Sequence, residues 1–204
     1  MAITAIIDNG HGSDTPGKCS PDRSLFEWAW NREIAQRVVE ELTKRGNNAV
    51  LLVPENNDIS LGDRVARVNA ICAHYGAQKC VLVSVHCNAA SNDGQWHNAT
   101  GISFWTSPGE TKADALADCL HASAVPLCKQ YNKKILTEKY KDGDIDYEAN
   151  FAVLTRTKCP ACLVENWFMD NHADVDWLLS DIGKQTAVDI IVNGITLYIQ
   201  RYDQ

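Results

Sequence analysis

The stretch Cys80-Val81-Leu82-Val83-Ser84-Val85-His86 is apolar at nearly every position and ends at a histidine. Continuous valine-rich runs of this length are typical of strands that are buried on both faces of a parallel sheet. The runs from Ile3 to Asp8 and from Ala161 to Val164 have the same character. These three runs are therefore predicted to be strands of the sheet.

Segments with apolar residues at helical spacing separate these strands. They cover residues 30–42, 61–72, about 111–131 and 182–198, and Ser60 and Asp181 are candidate caps at two helix starts. Further short strands are predicted at 49–53, 102–105 and 151–154, and the charged segment 132–150 is predicted to be a surface loop beside the site. The alternation predicts an α/β fold, with a single mostly parallel twisted sheet of about six strands and helices on both faces.

The length of 204 residues, with 45% hydrophobic and 22% charged residues, fits one domain over residues 1–204. A formal net charge of -7 is a poor match for a phosphate backbone, so we expect no nucleic-acid partner. No apolar run approaches about 18 residues, and we expect no membrane insertion. The start Met1-Ala2-Ile3-Thr4 lacks the basic and apolar parts of a signal peptide. We therefore expect either synthesis in the cytoplasm or a leader that is absent from this sequence. No pattern specifies an oligomeric state.

The chain contains eight cysteines with no repeated spacing. A chain of this size does not need disulfides, and several of the cysteines lie in apolar segments, so reduced and mostly buried thiols are expected. Cys159-Pro-Ala-Cys162 has the spacing of half a metal site. No second pair accompanies it, and chance spacing at a strand start is the preferred interpretation.

Three polar residues, Asp8, His86 and Glu165, follow directly on the buried strands. The carboxyl ends of parallel strands meet at one edge of a sheet, which is where sites form in α/β proteins. Glu165 has apolar strand residues before it, and its burial there indicates either a function or an ion pair with a buried arginine. Asp8 is either a support for His11 or a residue that caps its own loop.

His11, Glu27 and His86 are candidates for a metal site at this edge. His11 lies between two glycines after the first strand, His86 ends the third strand, and Glu27 begins the first helix. Two histidines and one carboxylate, with water as the fourth ligand, are a common catalytic zinc set. Each residue also has an ordinary interpretation: a hydrogen-bonded histidine at a strand end, or a glutamate that favours a helix N-terminus. The three are not in a local motif, so spacing alone leaves both interpretations open.

Four segments together resemble the zinc N-acetylmuramoyl-L-alanine amidases of the amidase 3 type. They are Asp8-Asn9-Gly10-His11-Gly12, Glu27, Ser84-Val85-His86-Cys87-Asn88-Ala89 and Leu163-Val164-Glu165-Asn166-Trp167-Phe168-Met169-Asp170-Asn171. Leu61-Gly62-Asp63-Arg64 with Asn69, Gly101 and Phe151-Ala152-Val153-Leu154 also fit the family pattern. The similarity follows the family's order from residue 3 to about residue 200.

The resemblance implies that His11, Glu27 and His86 hold Zn²⁺ and that Glu165 is the catalytic glutamate. It implies hydrolysis of the amide between N-acetylmuramic acid and L-alanine, with peptidoglycan as the partner. Asp8 and Asn88 are candidate supports for the ligands. No separate cell-wall-binding domain is expected, and the enzyme would act on the wall after release, as a phage endolysin does, or after export.

Two other functions remain open at this point: a zinc carboxypeptidase with the same fold, and a non-catalytic peptidoglycan-binding module. All four metal and catalytic positions are present, which argues against the module. The chain departs from the family where Asn9 replaces the usual proline and Ser13 a second glycine, and segment 132–150 matches poorly.

Overall fold

A computed structural model describes residues 2–138 and 143–202 and contains one six-stranded sheet over that part of the chain. The strands are β1 Thr4–Asn9, β2 Asn48–Leu51, β3 Cys80–Asn88, β4 Ser103–Thr106, β5 Tyr147–Glu148 and β6 Ala161–Phe168. The helices are α1 Glu27–Lys44, α2 Leu61–Tyr75, α3 Asp114–Gln130, α4 Ala152–Thr155, α5 His172–Leu179 and α6 Asp181–Tyr202.

The strand order in the sheet is β2-β1-β3-β6-β4-β5. Strands β2, β1, β3 and β6 are parallel, and β4 runs antiparallel to β6. This arrangement confirms the predicted α/β fold with a mostly parallel sheet. The three long apolar strands lie side by side at its centre, so their carboxyl ends share one edge.

The two faces of the sheet bury separate hydrophobic clusters, because successive strand residues point to opposite faces. Ile7 and Val83 belong to the larger cluster with α1, α3, α5 and α6. Ile6 and Leu82 belong to the smaller cluster with α2 and α4. All eight cysteines are free thiols, and only Cys19 is not buried. None of the described helices combines the length and the apolar character needed to cross a membrane.

The strand prediction for residues 151–154 is wrong, because Ala152–Thr155 forms the short helix α4. The carbonyl oxygen of Phe151 accepts hydrogen bonds from the backbone of Leu154 and Thr155, which closes a helical turn. A four-residue apolar run has too few residues for its periodicity to separate a strand from a buried helix. Helix α5 was not predicted.

The segment 132–150 is not only a surface loop. Tyr147–Glu148 form β5, which pairs with β4, and Ile135 forms an isolated bridge with Ile102. Residues 139–142 of this predicted loop lie outside the described residues. Asn150 lines a cleft together with His11, His86 and Glu165, as expected for a segment beside the site.

Helices α3 and α6 approach each other closely at Gly194. A Cβ atom at this position would lie 2.7 Å from both Cα and Cδ2 of Leu120. Real Cβ atoms do not come this close to backbone atoms, so the contact of the two helices requires glycine. Gly62 in α2 is different, because the nearest atom to a Cβ there would be Oγ of Ser60 at 3.8 Å.

We predict that Gly194→Ala lowers the free energy of unfolding by about 1–3 kcal/mol, since the added methyl group overpacks the contact between α3 and α6. Gly62→Ala is the matched control and should raise stability by about 0.5–1 kcal/mol, because alanine favours a helix where space is open. Urea unfolding of both variants measures the difference. Equal effects of the two substitutions would contradict the close contact.

Candidate metal centre

His11 lies in a sharply bent loop directly after β1, and its backbone has a φ of 64°. This left-handed conformation is uncommon for a residue other than glycine. Both neighbours must be glycine because of close packing. A Cβ atom at Gly10 would lie 2.0 Å from Cε1 of His86, and one at Gly12 would lie 2.0 Å from the backbone nitrogen of Asp58. The Gly10-His11-Gly12 sequence therefore brings the two histidine rings together.

Two arginines hold this loop through the carbonyl oxygen of His11. Arg32 Nη1 donates to it at 2.9 Å, and Arg64 Nη2 donates at 3.3 Å. Arg64 Nη1 also donates to Asp8 Oδ1 at 2.6 Å and to the carbonyl of Asn9 at 2.7 Å. The Arg64 and Asp8 side chains are only 3% and 1% exposed, so the ion pair is buried. The strained backbone of His11 is thus fixed by charge-assisted hydrogen bonds.

Glu27 is the first residue of α1 and is fully buried. Its backbone nitrogen donates to the carbonyl of Lys18 at 2.9 Å, which fixes the start of the helix. Its Oε1 accepts a hydrogen bond from the backbone nitrogen of Cys87 at 3.1 Å. Asn31, one turn further along α1, donates to the same oxygen at 3.5 Å. These contacts hold the carboxylate toward His86.

The three candidate ligands converge although they come from separate elements. One ligand atom each from His11, Glu27 and His86 can be chosen so that all lie within 4.8 Å of one another. Glu27 Oε1 lies 3.2 Å from His86 Nδ1, and Glu27 Oε2 lies 3.4 Å from His11 Nε2. The two imidazole rings are nearly perpendicular, with centroids 5.1 Å apart.

A divalent cation fits this set of donors. Glu27 Oε2 is buried but accepts no hydrogen bond from any described residue, which is costly for a carboxylate oxygen. Burial lowers the pKa of His11 to about 4, so its imidazole is neutral at pH 7 and has a free lone pair. Neutral imidazole and ionised carboxylate are the forms that bind metals. Two histidines and one glutamate match catalytic zinc sites.

Glu165 lies opposite His86, its Cα partner in the pairing of β3 with β6. Burial raises the pKa of Glu165 to about 7, and the negative charge of Glu27 adds to this effect. Its Oε2 is buried without a hydrogen-bond partner, and no described arginine forms an ion pair with it. The alternative of a structural ion pair therefore has no support. A carboxyl group with a pKa near neutrality can accept a proton and return it.

Asp8 does not make the expected hydrogen bond to the ring of His11. Its Oδ1 accepts from Arg64, and its Oδ2 accepts from Oγ of Ser84 at 2.6 Å. Its influence on His11 is indirect, since Arg64 also binds the His11 carbonyl. Asn88 Oδ1 accepts from the backbone nitrogen of Ala89 at 2.8 Å, so this amide stabilises its own loop.

A cleft of about 620 Å³ opens beside His11, His86 and Glu165. One wall comes from the start of α2, including Ser60 and the exposed Leu61. The opposite wall comes from the start of α4, and both walls carry apolar side chains. Lys18 also lines the cleft. His11, His86 and Glu165 are therefore accessible to a large ligand, whereas Glu27 lies buried behind them.

Several residues of the site were not assigned a role from the sequence. Arg64 was noted only as part of a family pattern, and Arg32, Asn31 and Lys18 were not noted. Asn31 and Arg32 are buried polar residues next to Trp30 on the helix. The two adjacent polar residues Asn31 and Arg32 lie beside the apolar face of α1, one turn after Glu27. This pattern could have identified both as residues of the site.

Comparisons with known proteins confirm the resemblance. The profile of a family described as N-acetylmuramoyl-L-alanine amidase matches residues 5–197. The uncharacterized protein YqiI of Bacillus subtilis is 29% identical over 98% of this chain and 85% of its own length. The N-acetylmuramoyl-L-alanine amidase AmiC of Neisseria meningitidis is 28% identical over 95% of this chain, which spans 52% of that relative.

A solved structure shows the same fold. The crystal structure of an N-acetylmuramoyl-L-alanine amidase from Clostridium difficile has a TM-score of 0.80 and 27% sequence identity to this chain. The similarity covers 98% of this chain and 97% of that protein. The structural similarity and the sequence similarity therefore both extend over nearly the whole chain.

We predict that Arg64→Met lowers the free energy of unfolding by about 3–5 kcal/mol, because Asp8 would be left as an uncompensated buried charge. Arg67→Met is the control from the same helix. Arg67 pairs with Glu55, and both side chains are more than a third exposed, so its loss should cost at most about 1 kcal/mol. Urea unfolding compares the two variants. Similar losses would show that the His11 loop does not depend on Arg64.

Proposed function

Because the chain belongs to the N-acetylmuramoyl-L-alanine amidase family, we propose that it is a zinc-dependent hydrolase of peptidoglycan. The bond cut is the amide between the lactyl group of N-acetylmuramic acid and L-alanine. The observation that carries the proposal is the convergence of His11, Glu27 and His86 beside Glu165 at the floor of an open cleft.

His11, Glu27 and His86 would hold the zinc ion. When bound, zinc lowers the pKa of a coordinated water from about 15.7 toward about 7 and polarises a neighbouring carbonyl. The protein keeps His11 neutral by burial and points both oxygens of Glu27 at the two imidazoles. These three residues would thus supply three protein donors to the ion beside the cleft.

Glu165 is the proposed general base and acid. Its ionised carboxylate takes a proton from the attacking water, and its protonated form gives the proton to the departing amine. The absence of a hydrogen bond or ion pair at its buried Oε2 supports this role, since the oxygen remains available to a proton. A general acid is needed because an amine anion is a poor leaving group.

The dimensions of the cleft suit a branched polymer. A glycan strand and its peptide need an open groove, and the volume of about 620 Å³ is within the range of ligand sites. We propose that residues 1–204 act as one catalytic domain and that the enzyme reaches the cell wall after release or export.

We predict about one equivalent of zinc per chain after dialysis, because three protein donors converge on one site. His86→Ala and Glu27→Gln should each lose most of the metal. His74→Ala is the control, since His74 is exposed on α2 and should leave the zinc content unchanged. Metal analysis of the folded proteins gives the result. A folded wild-type protein that binds no zinc would refute the ligand assignment.

We predict that Glu165→Gln keeps zinc but lowers the turnover of peptidoglycan by about 10²–10⁴, because the amide cannot accept the proton. Mass analysis of digested walls identifies the bond that the wild-type enzyme cuts. Free stem peptides that begin with L-alanine are expected. Release of single residues from free peptide ends would instead indicate a carboxypeptidase. Binding to walls without any cleavage, by a zinc-loaded protein, would indicate a binding module.

A further inference from the structure

Lys18 is fixed at the edge of the candidate metal centre. Its carbonyl oxygen accepts the hydrogen bond from Glu27, and the next residue, Cys19, forms an isolated antiparallel bridge with Phe26. The backbone that carries the lysine is therefore tied to the same helix start that places Glu27. Its side chain is partly buried and lines the cleft together with His11, His86 and Glu165.

Among the described residues that line the cleft, Lys18 is the cation that remains available for a ligand. Arg64 also lines the cleft, but its guanidinium is committed to Asp8 and Asp58. Within residues 2–138 and 143–202, no carboxylate forms an ion pair with Lys18. An ammonium group that is partly removed from water and has no counterion favours a negatively charged ligand.

The charge of Lys18 acts at the reacting groups. It lowers the pKa of His11, Glu27 and Glu165, although burial and the neighbouring ligands have larger effects. The lysine also lines two grooves next to the cleft, one formed by residues 13–28 and one that includes Asp170 and Gln95. Lys18 therefore lies where the cleft adjoins these two grooves.

On the basis of the proposed function, we propose that Lys18 binds the free α-carboxylate of the acidic residue that follows L-alanine in the stem peptide. In peptidoglycan this residue is D-glutamate, joined through its γ-carboxyl group, and its α-carboxyl group is either free or amidated. In an extended peptide the carboxylate carbon lies about 6 Å from the scissile nitrogen, less than two Cα–Cα spacings. Lys18 thereby selects stem peptides that are not amidated at this position.

The test uses two sets of soluble glycan–peptide oligomers that differ only in this carboxyl group, free in one and amidated in the other. Wild-type enzyme should cut the free form with a kcat/KM about 10–100-fold higher, the range expected for a hydrogen bond between charged groups. Lys18→Gln should remove the preference by raising KM for the free form, with little change for the amidated form.

Lys44→Gln is the matched control, because it removes the same charge from a side chain that is 70% exposed. Lys44 is at the far end of α1, about 25 Å from Glu27 along the helix axis. This variant should keep the preference of the wild type. Zinc content and unfolding by urea check that both variants are folded and loaded.

The inference is wrong if wild-type enzyme does not distinguish the two substrates, or if Lys18→Gln keeps the preference. It is also wrong if the variant loses the same factor on both, since Lys18 would then act on the reaction and not on the carboxylate. Cleavage of whole walls but of neither oligomer would contradict it as well. Failure to cut any of these substrates, whole walls included, would refute the proposed function instead.

Discussion

Two guanidinium groups meet at one carbonyl oxygen, that of His11, and the geometry of the whole site depends on this contact. The φ of 64° at His11 turns its imidazole toward His86, and only a strong hold on the backbone keeps a histidine in that conformation. Arg32 comes from α1 and Arg64 from α2, on opposite faces of the sheet. The loop is thus fixed by the same helices that cover the two hydrophobic clusters, which couples the site to the fold.

A few ionisable side chains determine the electrostatics of the site. Glu27 is buried and Glu165 is partly buried, and the negative charge of Glu27 contributes to the raised pKa of Glu165. Burial acts against ionisation of Glu27 as well, but the hydrogen bond from His86 and the positive charge of His86 lower the pKa of Glu27. The pKa values of the two carboxylates are therefore shifted in opposite directions, which suits the proposed roles of Glu27 as a ligand and of Glu165 as a proton carrier. The division follows from position, since Glu27 lies between the two imidazoles while Glu165 faces the cleft.

The sequence predicted the parts of the structure that depend on long apolar runs. Strands β1, β3 and β6 were recognised because burial on both faces leaves few polar positions in them before their carboxyl ends. Residues 151–154 were misassigned because four apolar residues fit either element, and β5 was missed because a two-residue strand has no pattern. The convergence of His11, Glu27 and His86 followed from parallel strand order and from the family resemblance. The contacts of Arg32 and Arg64 with His11 could not be predicted. Both arginines bind a main-chain carbonyl oxygen, which every residue type has, so the sequence does not indicate which residue accepts the bond.

The loop between His11 and Glu27 is anchored at its ends by main-chain oxygens, those of His11 and Lys18. Ser13, Asp14, Pro16 and Gly17 between the anchors are exposed or nearly so. Substitutions in this short segment, or a change in its length, would alter the rim of the cleft more readily than the position of a candidate metal ligand. The hydrogen bonds that hold the His11 carbonyl and the Glu27 nitrogen do not involve these four side chains. Substitutions among them would therefore reshape the surface beside the cleft and leave both candidate ligands in place.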